Sequence, residues 1–138
     1  MSLTKDQSAE STTSTKKTGT ATLTNFWGVN LAQVTLRHRI SNERDKEEIY
    51  TWYGVEEGAT ADPPLAINYE LGFASGKDYW WVKFVTIGGN EYTCKGNFYC
   101  SFSSDDNGKA AIVLEGDDNE MTVDFSESSG CSVAIVSA

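Results

Sequence analysis

Leu65-Ala66-Ile67-Asn68-Tyr69-Glu70-Leu71-Gly72-Phe73 is the stretch that decides the fold. Leu65, Ile67, Tyr69, Leu71 and Phe73 alternate with small or polar neighbours, and a period of two is the mark of a strand with one buried face. Pro63-Pro64 stands just before it. Proline cannot donate to a ladder, so the pair marks a boundary.

The same rhythm extends both ways along the chain. Val34, Leu36, His38 and Ile40 alternate with Gln33, Thr35, Arg37 and Arg39; Met121, Val123 and Phe125, then Cys131, Val133 and Ile135, do likewise near the C-terminus. Further strands are expected at 20–24, 48–54, 79–87, 91–95, 98–103 and 109–115. Gly88-Gly89-Asn90, Asn107-Gly108 and Ser129-Gly130 supply the positive φ that tight turns demand. Asn42 to Glu48 is the one helix candidate, and a charged hairpin loop explains it equally well because it has no apolar stripe. The expectation is an all-β fold, an antiparallel β-sandwich of about 8–10 short strands, with a closed barrel as second choice.

The chain has 138 residues, room for one core and not two. Residues 1–19 are rich in Ser, Thr and Lys and read as a disordered tail, so the single domain is expected over 20–138. The net charge is −9 and is uneven. From Phe84 onward only Lys95 and Lys109 oppose nine acids. Such a body repels phosphate backbones, and Arg37 and Arg39 are closely followed by Glu43, Asp45, Glu47 and Glu48, so nucleic acid is not an expected partner. No apolar run approaches a membrane span and no secretory leader is visible. A soluble chain, cytoplasmic or secreted, is expected.

Chemistry-bearing residues are few. His38 is the sole histidine and alternation turns it toward the core, where a backbone carbonyl is its expected partner. A Ser or Cys nucleophile would need a base and an orienting acid, and no sequence feature supplies them. No enzymatic activity and no cofactor is expected. The odd count of Cys94, Cys100 and Cys131 allows one disulfide with a free thiol, but three buried, reduced thiols are the expectation; their spacing matches no zinc signature. Asp105-Asp106-Asn107-Gly108 and Asp117-Asp118-Asn119-Glu120 are oxygen-rich turns that lack the spacing of a calcium loop, so ordinary hairpin chemistry is preferred over metal.

The aromatic residues are more informative. In Tyr79-Trp80-Trp81-Val82-Lys83-Phe84, alternation groups Trp80, Val82 and Phe84 toward the core and Tyr79, Trp81 and Lys83 toward water. Trp27 lies in a turn and Trp52 sits among Tyr50 and Tyr53. Exposed rings give large contact area at little entropic cost. Trp27, Trp52, Tyr79 and Trp81 are therefore the candidate ligand-binding residues, suited to a glycan or a lipid head group. The acidic half docking a basic protein surface is the alternative.

In size, charge and strand rhythm, residues 20–138 resemble the aegerolysin-like proteins. That resemblance implies a small acidic β-sandwich that recognises membrane lipids, sometimes with a pore-forming partner. It rests on no single motif and assigns no individual residue, and the Ser/Thr-rich tail departs from that family's compact start.

Overall fold

The structure, a computed structural model, describes residues 15–41, 43–72 and 76–138. The tail over 1–14, the Asn42 cap and the alternation at Phe73 lie outside those residues. The strands run in chain order as β1 (Thr15–Phe26), β2 (Leu31–Ile40), β3 (Glu47–Val55), β4 (Leu65–Leu71), β5 (Asp78–Thr86), β6 (Glu91–Thr93), β7 (Phe98–Tyr99), β8 (Lys109–Glu115), β9 (Glu120–Phe125), β10 (Cys131–Ala134) and β11 (Val136–Ser137). They form two sheets, β10-β9-β8-β1-β4 and β11-β6-β5-β2-β3, with β7 also paired to β5. The fold is all-β and sandwich-like, as the alternation implies.

Between the sheets lie Leu23, Leu31, Leu36, Trp80, Phe84, Ile112, Leu114 and Met121, all fully buried. Every one sits at the inward phase of its strand, so area removed from water holds the layers together. The indole N–H of Trp80 donates to the Cys100 carbonyl at 2.8 Å, so this ring enters the core with its polar atom satisfied.

Three local expectations are corrected and one left open is decided. β1 starts at Thr15, so residues 15–19, read as tail, pair with β4 from Leu71 to Ile67. Threonine is a good strand former and β4 offers an edge, which composition alone does not reveal. β1 also pairs with β8 in parallel, among the described residues the one departure from antiparallel pairing between strands; both run toward the same end after the chain has crossed the other sheet. The 42–48 segment resolves into a 3-10 turn at Arg44–Lys46 followed by β3. Of the strand expected at 98–103, Phe98 and Tyr99 alone pair, and a 3-10 turn at Ser104–Asp106 follows.

The cysteine expectation is corrected as well. Cys100 and Cys131 form a disulfide that ties the segment after β7 to β10, leaving Cys94 buried and free. Spacing along the sequence carries no information about which Cα atoms the sandwich brings together. Two close approaches explain glycines in turns. A Cβ at Gly116 would fall 1.8 Å from the Trp27 carbonyl oxygen, and Gly108, at φ +70°, lies against the backbone of Gly19 and the ring of Tyr69.

Candidate functional site

The four candidate aromatics occupy three separate places. Trp52 is buried, 4% exposed, and its indole N–H donates to the Pro63 carbonyl at 2.7 Å. It points inward from β3, in step with Val34 of β2 opposite. Tyr79 and Trp81 lie on the outer face of the second sheet, where alternation places them, but both are half-buried. The Arg37 guanidinium covers the Trp81 ring at 4.5 Å from its centroid, and Tyr79 leans on Tyr99 at 5.6 Å. The indole is neither sealed in the core nor bare to water.

Trp27 is half-buried at one end of the sandwich, with Phe84 edge-on at 4.9 Å and Tyr92 at 5.0 Å. Around it the large apolar side chains turn outward: Phe26 is 48% exposed, Val29 45% and Ile87 70%. Trp27, Val29, Ile87 and Tyr92 line an open cavity of about 440 Å³ between the β1–β2 and β5–β6 turns. An exposed apolar cluster of this kind marks an interaction surface.

The turns of this end are fixed from below by polar side chains. Asn25 is fully buried. Its Nδ2 donates to the carbonyls of Val29 and Val55, at 2.9 and 3.1 Å, and its Oδ1 accepts from the Trp27 amide at 2.9 Å. Asn30 Oδ1 accepts from the Glu57 amide, and Glu57 Oε1 accepts from the Gly28 amide at 2.7 Å. The Ile87 amide donates to the Asn30 carbonyl, joining the two apolar turns. Sequence reading passed over Asn25, Val29 and Ile87. The available signal was an apolar residue placed inside a Gly/Asn turn, as in Gly28-Val29-Asn30 and Ile87-Gly88-Gly89.

His38 departs from expectation. It is fully buried, but its partners are carboxylates: Nδ1 lies 2.6 Å from Glu48 Oε1 and Nε2 lies 2.7 Å from Asp78 Oδ1. Burial pulls its pKa down, yet the hydrogen bonds to Asp78 and Glu48 outweigh it and hold the ring above its ordinary value of 6.5. With both nitrogens engaged the imidazole has no lone pair to offer a nucleophile or a metal.

The two acidic turns differ. Asp106 is buried, and its carboxylate accepts from the amides of Ser103, Glu127 and Ser128 and from the hydroxyls of Ser103 and Ser128. Burial opposes its charge, but these donors prevail and lower its pKa to about 2. That carboxylate is consumed by the fold. Asp117 and Asp118 stand at the apolar end, beyond β8. Among the described residues no group of three or more His, Cys, Asp or Glu is arranged to hold a metal ion. No protein-family model matches the chain, and no curated protein matches it in sequence.

Proposed function

We propose that this domain is a non-enzymatic binding module that docks its Trp27 end on lipid head groups, zwitterionic ones in preference to anionic. The observation that carries the reading is the outward display of Phe26, Val29 and Ile87 around Trp27 on turns held rigid by Asn25 and Asn30. Folding alone would favour burying those side chains. A rigid apolar tip loses little entropy when it enters the interfacial region, where tryptophan and tyrosine are most at home. Acids without Lys or Arg surround it in the adjoining turns, among them Glu56, Glu57, Asp117 and Asp118, which favours head groups with an outer ammonium. Recognition of membrane lipids, without any residue assigned, is also what the aegerolysin-like resemblance implies.

Co-sedimentation with phosphatidylcholine vesicles tests it. The native chain is expected to pellet with the vesicles, and Val29→Asp/Ile87→Asp to remain in the supernatant with unchanged thermal stability. Equal pelleting of both proteins would remove the apolar tip from the mechanism.

A further inference from the structure

β3 ends the second sheet, paired on one side with β2 from Leu31↔Val55 to Arg39↔Glu47. Its other side opens into the lateral seam of the sandwich. Among the described residues, the one backbone group of β3 bonded across that seam is the Val55 carbonyl, taken by Asn25 Nδ2. The facing wall cannot close on it, because the Ala59 carbonyl and Ala61 amide bond to β1 and Thr60 Oγ1 bonds Thr24 Oγ1 at 2.7 Å. Between the walls runs a groove of about 440 Å³ lined by Tyr50 to Glu56 and Ala59 to Asp62. Its lower limit is Glu48, whose Oε2 accepts from the Asn68 amide of β4 at 3.3 Å. Tyr50 to Gly54 are thus left open, a strand edge of ~17 Å.

Unpaired edges are ordinarily kept short or guarded by Lys and Pro, since they invite pairing with another chain. β10 and β11, with four and two residues, are short, and the β4 edge is met by Glu48. β3 has nine residues, no Lys and no Pro, and exposes Ile49 at 51% and Tyr53 at 73%. Glu47 is paired with Arg39 and Glu48 with His38, so the charges that border the open stretch are Glu56, Glu57 and Asp62, with no Lys or Arg from 47 to 62.

We infer that the open edge of β3 receives an extended, basic segment of a partner protein, which adds to the second sheet as a further strand. Main-chain hydrogen bonds to Tyr50–Gly54 supply the affinity, and the acids along the groove select for Lys and Arg. A second copy of this chain is the poorer occupant, since pairing two β3 edges would bring two sets of the same acids together. This groove adjoins the Trp27 end, where Glu56 and Glu57 lie between the two, but it has its own lining and does not rest on the lipid reading.

The probe is a fluorescein-labelled peptide of about eight residues alternating Lys with Val and Thr, followed by anisotropy against the full chain. Its alternately N-methylated form keeps the charge but cannot pair as a strand. A third peptide carries Glu in place of Lys. The basic peptide is expected to bind saturably, and both control peptides at least about tenfold more weakly. Ile49→Lys/Tyr53→Lys, at two exposed positions, should weaken the basic peptide by a similar factor while leaving phosphatidylcholine vesicle binding unchanged. Equal binding of the N-methylated peptide would overturn strand addition. So would no binding of the basic peptide, or a dimer seen by sedimentation without peptide that the double variant dissolves.

Discussion

Asp106 illustrates how much one side chain holds here. It accepts five hydrogen bonds, from Ser103 on its own turn and from Glu127 and Ser128 beyond β9, while its main-chain carbonyl takes the Ser126 hydroxyl. A buried carboxylate with that many donors resists protonation, which is why its pKa falls from 3.8 to about 2. A depressed pKa contributes stability that is present above the unfolded value and is lost as pH falls through the folded one. For this shift the contribution is about 2 kcal/mol at neutral pH. Asp106→Asn keeps the shape but turns an amide N–H₂ toward donors. It is expected to destabilise by roughly 2–4 kcal/mol and to flatten the loss of stability between the two pKa values. Guanidinium unfolding of both proteins at a series of acidic pH values measures this, and parallel pH profiles would contradict it. Asn25 belongs to the same class: Asn25→Ala removes three bonds from one buried amide and should cost about 2–3 kcal/mol while loosening the Trp27 turn.

Between elements, two links do work that periodicity could not announce. The first is the His38 triad, which joins β2 to β3 through Glu48, to β5 through Asp78, and across to β4 through the Glu48–Asn68 contact. The pKa of His38 is raised above 6.5 by its two carboxylate partners, so its stabilisation is fully present below that value and is lost as pH climbs through the folded pKa. Stability should therefore decline as pH rises above 6.5. His38→Leu, which leaves two carboxylates facing an apolar group, is expected to cost about 3–5 kcal/mol and to abolish the decline. Urea midpoints across that pH range decide the matter; an unchanged slope in the variant would assign the decline to other groups. The second link is Cys100–Cys131, which closes a loop with a sequence separation of 31 and fastens the short edge strand β10. Cys100→Ser/Cys131→Ser should cost about 3–4 kcal/mol by loop entropy and speed hydrogen exchange in β10 and β11 before the rest of the sandwich. Strand existence and inward faces were legible because period-two alternation is a local property: Leu65–Leu71 and Leu31–Ile40 fall where it places them. The parallel β1–β8 pair, the disulfide and the partners of His38 were not, since each depends on which strands the topology sets side by side. At the candidate site, Trp27 was visible as an aromatic in a turn. For Trp52 the sequence pattern leaves the inward phase undecided, and the register with Val34 reveals it; Ile87 reads as part of a strand that ends at Thr86.

At the scale of the whole molecule the charge is distributed lengthwise. The stretches 26–31, 53–62, 84–92 and 115–120 meet at the Trp27 end, and they carry Glu56, Glu57, Asp62, Glu91, Glu115, Asp117, Asp118 and Glu120 with no Lys or Arg. At the other end, near where β1 and β5 begin and β2 ends, Lys16, Arg44, Lys46 and Lys77 stand among Glu43, Asp45, Glu47, Glu48 and Glu70, so that end is mixed in charge. An apolar tip inside an acidic collar has a consequence for lipid choice. At an anionic surface near about −30 mV each acid brought within a Debye length costs roughly 0.7 kcal/mol, so two of them already offset a tenfold affinity. Binding to phosphatidylcholine vesicles should therefore vary little with salt. Adding phosphatidylserine should weaken it at low ionic strength, and raising the salt should restore it, the reverse of ordinary electrostatic adsorption. Tighter binding to the phosphatidylserine-containing vesicles at low salt would mean that the end carrying Lys16, Arg44, Lys46 and Lys77, and not the Trp27 end, is the one that meets the membrane.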